Sequence, residues 1–122
     1  MGKCCGCGCA KKEYNATSAI AEGKILGSEG TFKEHHFLIE MQASKNPPYP
    51  SVNINCELKN VTKNVVIFSE TRTHVNTEKP YFEVNNLTIT QNYVGDTIRL
   101  TVTSQYVMDW ILAKWLLNTE YE

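Results

Sequence analysis

Along most of this chain, hydrophobic and polar residues alternate one by one. In VNINCEL, Val52, Ile54, Cys56 and Leu58 fall on one side and Asn53, Asn55 and Glu57 on the other. That is the period of two imposed on a half-buried strand. TFKEHHFLIEMQAS repeats it at Phe37, Ile39 and Met41, and TIRLTVT repeats it at Ile98, Leu100 and Val102. NVVIFSE, YFEV and LTIT have the same texture, rich in the β-branched and aromatic residues that pleated surfaces favour. SAIAEGKILG supplies a first strand, closed by the turn-like Gly27-Ser28-Glu29-Gly30. KNPPYPS must be a loop, because Pro47, Pro48 and Pro50 remove ladder donors and fix φ. Short strands separated by turn signals predict an all-β fold, an antiparallel β-sandwich.

The two ends depart from this pattern. In SQYVMDWILAKWLLNTEYE, helical spacing puts Met108, Ile111, Leu112, Trp115 and Leu116 on one face, as in an amphipathic helix. As a strand, the same segment would be apolar on both sides apart from Lys114. Helix and strand both stand as readings of this C-terminal segment. The start, MGKCCGCGCAKK, carries glycine, cysteine and lysine but no large apolar side chain. It reads as a flexible arm, with residues 1–16 outside the domain and residues 17–122 forming it.

Composition narrows the function classes. The 122 residues suffice for one domain with a real core, and 42% hydrophobic with 20% charged content is ordinary for a globular protein. A formal net charge of −1 gives no basic footprint, so no nucleic-acid partner is expected. The first ten residues hold no apolar secretory core, so the expected setting is cytoplasmic, where thiols stay reduced.

From about Phe37 onward the order of features resembles a C2 domain, an eight-stranded β-sandwich. The match is carried by FLIEMQASKNPPYP, then SETRTHVNTEKPYFEVNNLTIT with Asn76, Pro80, Tyr81 and Phe82, then DTIRLTVTS and MDWILAKWLLNT. The resemblance implies strands throughout, the C-terminal segment included. Calcium-binding members gather loop aspartates around the ion. This chain has only Asp96 and Asp109, so a calcium-independent domain is implied. A pleckstrin-homology domain is the rival, because TIRLTVTSQYVMDWILAKWLL resembles its last strand and capping helix, with Trp110 in the expected region.

The N-terminal cysteines are the most distinctive chemistry. Cys4, Cys5, Cys7 and Cys9 lie too close together for the usual zinc pattern of paired C-x₂₋₄-C units, and a disulfide frame does not suit a reducing compartment. Gly2 is a myristoylation acceptor once Met1 is removed, although Gly6 stands where Ser or Thr is preferred, and the cysteines are palmitoylation candidates. Two acyl chains give durable attachment where one binds only reversibly. Lys59, Lys63, Arg72 and Lys79 are the candidate contacts to anionic lipid or a protein partner.

His35 and His36 are adjacent on a strand and must point to opposite faces, so no metal site is expected from them. No nucleophile elbow, phosphate loop or metalloprotease motif occurs, and no cofactor is implied. The expected function is a non-enzymatic adaptor or scaffold, peripheral on the inner face of a membrane through acyl chains at Gly2, Cys4, Cys5, Cys7 and Cys9. The alternative is a structural subunit of a larger assembly, such as a filament, cilium or virion, held by its β-domain and N-terminal arm.

Overall fold

The structure, a computed structural model, describes residues 4–5, 8–27 and 30–122, with side chains described from residue 8 onward. All of its regular elements are strands: β1 Cys4–Cys5, β2 Gly8–Lys24, β3 Phe32–Ala43, β4 Val52–Asn60, β5 Val65–His74, β6 Tyr81–Ile89 and β7 Thr97–Tyr121. Apart from β1, which lies parallel to β2, every pairing is antiparallel.

The architecture follows from the two longest strands. β2 and β7 pair along almost their whole length, but the register jumps from Ala16↔Met108 to Ser18↔Thr103. Ser104–Val107 therefore stand opposite Thr17 alone, and the ribbon bends there. Asn15 takes φ 50° beside the bend, a left-handed conformation that asparagine tolerates better than most residues. On one side of the bend, the first part of β7 pairs with β4, which pairs with β5. On the other side, the second part pairs with β3, which pairs with β6. The result is a curled sheet whose two halves share β2 and β7 and enclose one core.

The core is built from the alternation visible in the sequence. Val52, Ile54, Cys56 and Leu58 of β4 face Phe37, Ile39, Met41 and Ala43 of β3, with Ile98, Leu100 and Val102 and then Ile111, Ala113, Trp115 and Leu117 from β7. β7 buries even positions before the bend and odd positions after it. Small residues of β2, Ala19 and Ala21, leave room for the Trp115 indole, whose Nε1–H donates to the Ala21 carbonyl at 3.1 Å. Burial pushes the Cys56 thiol up to about 11, the behaviour of an inert core cysteine.

Three expectations change. Residues 8–16 are the first half of β2 rather than part of a flexible arm. Strand pairing needs backbone donors and acceptors, not bulky side chains, and β7 supplies them. The small Gly8 suits the close approach, since a Cβ there would lie 2.7 Å from Leu116 Cδ2. The eight-stranded count also fails. Among the described residues there are six strands of nine residues or more and the two-residue β1, because YFEV and LTIT form one strand, β6, and TIRLTVT and the C-terminal segment form another, β7. The C-terminal segment is strand from Thr97 to Tyr121, so the capping helix of the pleckstrin-type reading is not formed.

Candidate functional site

The half formed by β2, β7, β3 and β6 turns an unusually apolar face outward. Even-numbered residues point out on all four strands, and the pairings align them in transverse rows. One row reads Lys12–Leu112–Gln42–Phe82, the next Ala10–Lys114–Glu40–Val84, and the next Gly8–Leu116–Leu38–Asn86. Tyr14 and Trp110 pair at the end of the face nearest the bend. Phe82 is 62% and Tyr14 66% exposed, and Val84 and Leu116 are also open to solvent. The Lys12 ammonium sits 4.5 Å from the Trp110 ring centroid and 5.4 Å from that of Tyr14, within cation–π range. Exposed apolar side chains grouped on one face are the usual mark of an interaction surface, and here Lys114 and Glu40 sit among them.

The opposite half is more polar outside, although Ile20 of β2 and Val65 and Val66 of β5 are exposed there. Its outer rows hold Asn53, Asn55 and Glu57 of β4 beside Thr71 and Thr73 of β5. Asn55 Nδ2 donates to the Thr71 hydroxyl at 2.9 Å, and the Thr73 hydroxyl donates to Asn53 Oδ1 at 2.9 Å. The contrast between the two faces makes the first the candidate site.

A second cluster closes the seam between β5 and β6, where the halves meet without ladder bonds. Arg72 pairs with Glu70 at 2.5 Å and with Glu83 at 3.3 Å, and Asn85 Nδ2 donates to Glu83 at 2.6 Å and to Glu70 at 3.3 Å. The Tyr81 hydroxyl donates to Glu83 at 2.5 Å. The hydrogen bond to Glu83, helped by burial, raises the Glu70 carboxyl above its ordinary range. Burial pushes Glu83 up, but its bonds from Glu70, Tyr81 and Asn85 outweigh that and hold it low. The ionisation of each carboxyl thus depends on the other across the seam.

At the other end, Asp96 accepts from Asn60 Nδ2 at 2.9 Å and Lys63 Nζ at 2.5 Å. Burial opposes ionisation there, yet these donors hold the carboxyl below its usual value. His35 is fully buried beneath the candidate face, stacked on Tyr93. Its Nε2 accepts from the Tyr93 N–H at 2.9 Å, so Nδ1 carries the proton and donates to the Thr119 hydroxyl at 2.8 Å. Desolvation lowers its pKa to about 4 despite the opposing charge of Asp96.

The residues singled out in the sequence do not converge. Gly2 and Cys7 lie outside the described residues, and of Cys4 and Cys5 only the backbone of β1 is described. Cys9 is buried and disulfide-bonded, its sulfur 3.4 Å from the Glu22 carbonyl. In this form its sulfur is not open to acylation, and disulfide chemistry, set aside on redox grounds, is present at this position. Lys59 and Arg72 stand near opposite ends of the β4–β5 hairpin, roughly 20 Å apart at the strand rise. Lys63 is held by Asp96 and Arg72 by the glutamates, while Lys79 lies in the β5–β6 turn, where its carbonyl contacts His74 Nε2 at 2.7 Å. Lys59, Lys63, Arg72 and Lys79 therefore form no single lipid-binding patch.

No family model matches the sequence, and no curated protein matches it. Neither the C2 nor the pleckstrin-homology resemblance is shown. Among solved structures, the chain is similar to one described as Eiger TNF from S. frugiperda, at a TM-score of 0.44 and 7% identity, covering 95% of this chain and 96% of that one. At that degree of likeness, function has to be read from the residues themselves.

Proposed function

We propose that this chain is a non-enzymatic structural β-domain that associates with a second copy of itself through the outer face of β2, β7, β3 and β6. The observation that carries the reading is the order of residues in the rows. Two copies packed face to face about a two-fold axis parallel to the strands oppose each row to itself, read backwards. Lys114 then meets Glu40 of the second copy, and Glu40 meets its Lys114. In the row above, Lys12 meets Phe82, and in the row below, Leu116 meets Leu38. Such reciprocal pairing is what an isologous interface requires. Charges in the middle of an apolar patch set register and exclude wrong partners more than they add affinity. Acylation at Gly2, Cys4, Cys5 or Cys7 would give such a subunit a membrane address.

Charge reversal tests this directly. Sedimentation velocity over a wide concentration range should show the wild-type chain moving from monomer to dimer. Glu40→Lys and Lys114→Glu should each weaken the dimer more than about tenfold, because each places like charges opposite one another twice. The double swap should restore association to within about threefold of wild type. A wild-type chain that stays monomeric throughout, or a double swap no better than the single changes, would overturn the reading.

A further inference from the structure

Beyond the apolar rows, the same outer face ends in a cluster of different chemistry. His36 lies opposite Asn118 on β7 and Thr88 on β6, and Glu34 lies opposite Glu120. Glu34 and His36 are two apart on one strand and so project from the same face, and pairing brings Glu120 beside them. His36 Nε2 is 2.6 Å from Glu34 Oε2 and 3.2 Å from Glu120 Oε1. We propose that Glu34, His36 and Glu120 bind one divalent transition cation of the zinc type.

Three observations carry this. First, one ligand atom from each residue lies within 4.8 Å of the other two. Donors about 2.0–2.2 Å from a zinc ion stand about 3–3.5 Å from one another, so small side-chain rotations bring this set to ligating distance. Second, the ring nitrogen is shielded from solvent yet makes no hydrogen bond, although two carboxylate oxygens crowd it. Neither oxygen stands where an Nε2–H would point. A cation on the axis of that nitrogen would be met by both carboxylates and would satisfy all three groups at once. Third, His36 Nδ1 is 3.3 Å from the Thr88 hydroxyl. A ligating histidine is normally fixed in this way, with its other nitrogen donating to a neighbour and leaving the metal-facing lone pair available.

The donor types select the ion. An imidazole nitrogen suits zinc, cobalt, nickel or copper, whereas calcium and magnesium require shells made almost wholly of oxygen. Three protein ligands leave a coordination position for water or for a group from another molecule. Lys33, 4.0 Å from the other Glu120 oxygen, supplies the nearest competing positive charge.

The test uses Co²⁺ as a spectroscopic stand-in for zinc on the full, non-reduced chain. Its d–d spectrum reports nitrogen and oxygen ligation, and a near-ultraviolet charge-transfer band reports thiolate ligation. The expected result is saturation at one equivalent, a visible band without thiolate charge transfer, and displacement by Zn²⁺ but not by Mg²⁺. His36→Ala should raise the dissociation constant more than about tenfold, since changes to outer-shell partners alone already cost that much. Glu120→Gln, a partly exposed position near the chain end, should do the same without disturbing the fold. A thiolate band would place the ion at the N-terminal cysteines and overturn the proposal. So would binding unchanged in both variants, or no uptake at all.

Discussion

Trp115→Ala is expected to destabilise the domain by about 3–5 kcal/mol, the range for removing a large aromatic side chain from a close-packed core. The position is 0% exposed, the largest fully buried side chain among the described residues. Its ring lies 6.0 Å from that of Phe37 on β3, while its indole N–H reaches the Ala21 carbonyl on β2 beyond the bend. Truncation would therefore open a cavity where the two halves meet and leave a buried carbonyl without its donor. Neither Ala19 nor Ala21 can move in to fill that space. Against a total stability of about 5–15 kcal/mol for a domain of this kind, the loss is large enough to bring unfolding near ambient conditions. Urea denaturation monitored by circular dichroism gives the number directly. A change below about 1 kcal/mol would mean that the core does not close around this residue.

The second large effect is a loss of stability in mild acid, traced to His35. In the unfolded chain this histidine titrates near 6.5, but in the fold burial brings it down to about 4. Between those values the unfolded chain binds the extra proton and the native protein does not, so stability falls as pH falls. The contribution is fully present above about 6.5 and is lost by about 4, roughly 3 kcal/mol in all. The geometry gives the reason. A protonated Nε2 would point its hydrogen at the Tyr93 N–H that it now accepts from, among the rings of Phe32, Phe37 and Tyr93. The nearby Asp96 charge offsets only part of that cost. In His35→Gln the decline across this window should be shallower by about that amount, as measured by chemical denaturation at a series of pH values. Parallel curves for the two proteins would show that the acid sensitivity lies elsewhere.

Much of the β-structure was legible because single-face burial writes itself into alternate positions. Val52 to Leu58, Phe37 to Met41 and Ile98 to Val102 are buried as their spacing requires. The opposite orientations of His35 and His36 follow from the same rule. The C-terminal segment resisted this reading because both of its faces are apolar. Ile111, Ala113, Trp115 and Leu117 fill the core, while Trp110, Leu112 and Leu116 lie on the outer face. The N-terminal half of β2 was hidden for the converse reason: its edge is held by backbone pairing with β7, which leaves little signature in Gly8, Ala10 or Lys12. The candidate face was out of reach because its rows combine residues from four strands. Glu34 and His36 are readable as neighbours, but only the β3–β7 register brings Glu120 to them from the far end of the chain.

The bend in β2 and β7 also decides how the molecule would come apart. Unbroken strands cross the bend, so the two halves are joined there through the main chain itself. Along the β5–β6 seam they are held by side chains, through the Glu70–Asn85 and Arg72–Glu83 contacts. A pulling force, or a thermal fluctuation large enough to expose the core, should therefore part the seam first and swing the halves about the bend like a hinge. Backbone amides at the shared ribbon would then be the last to exchange with solvent, and those of β5 and β6 among the first.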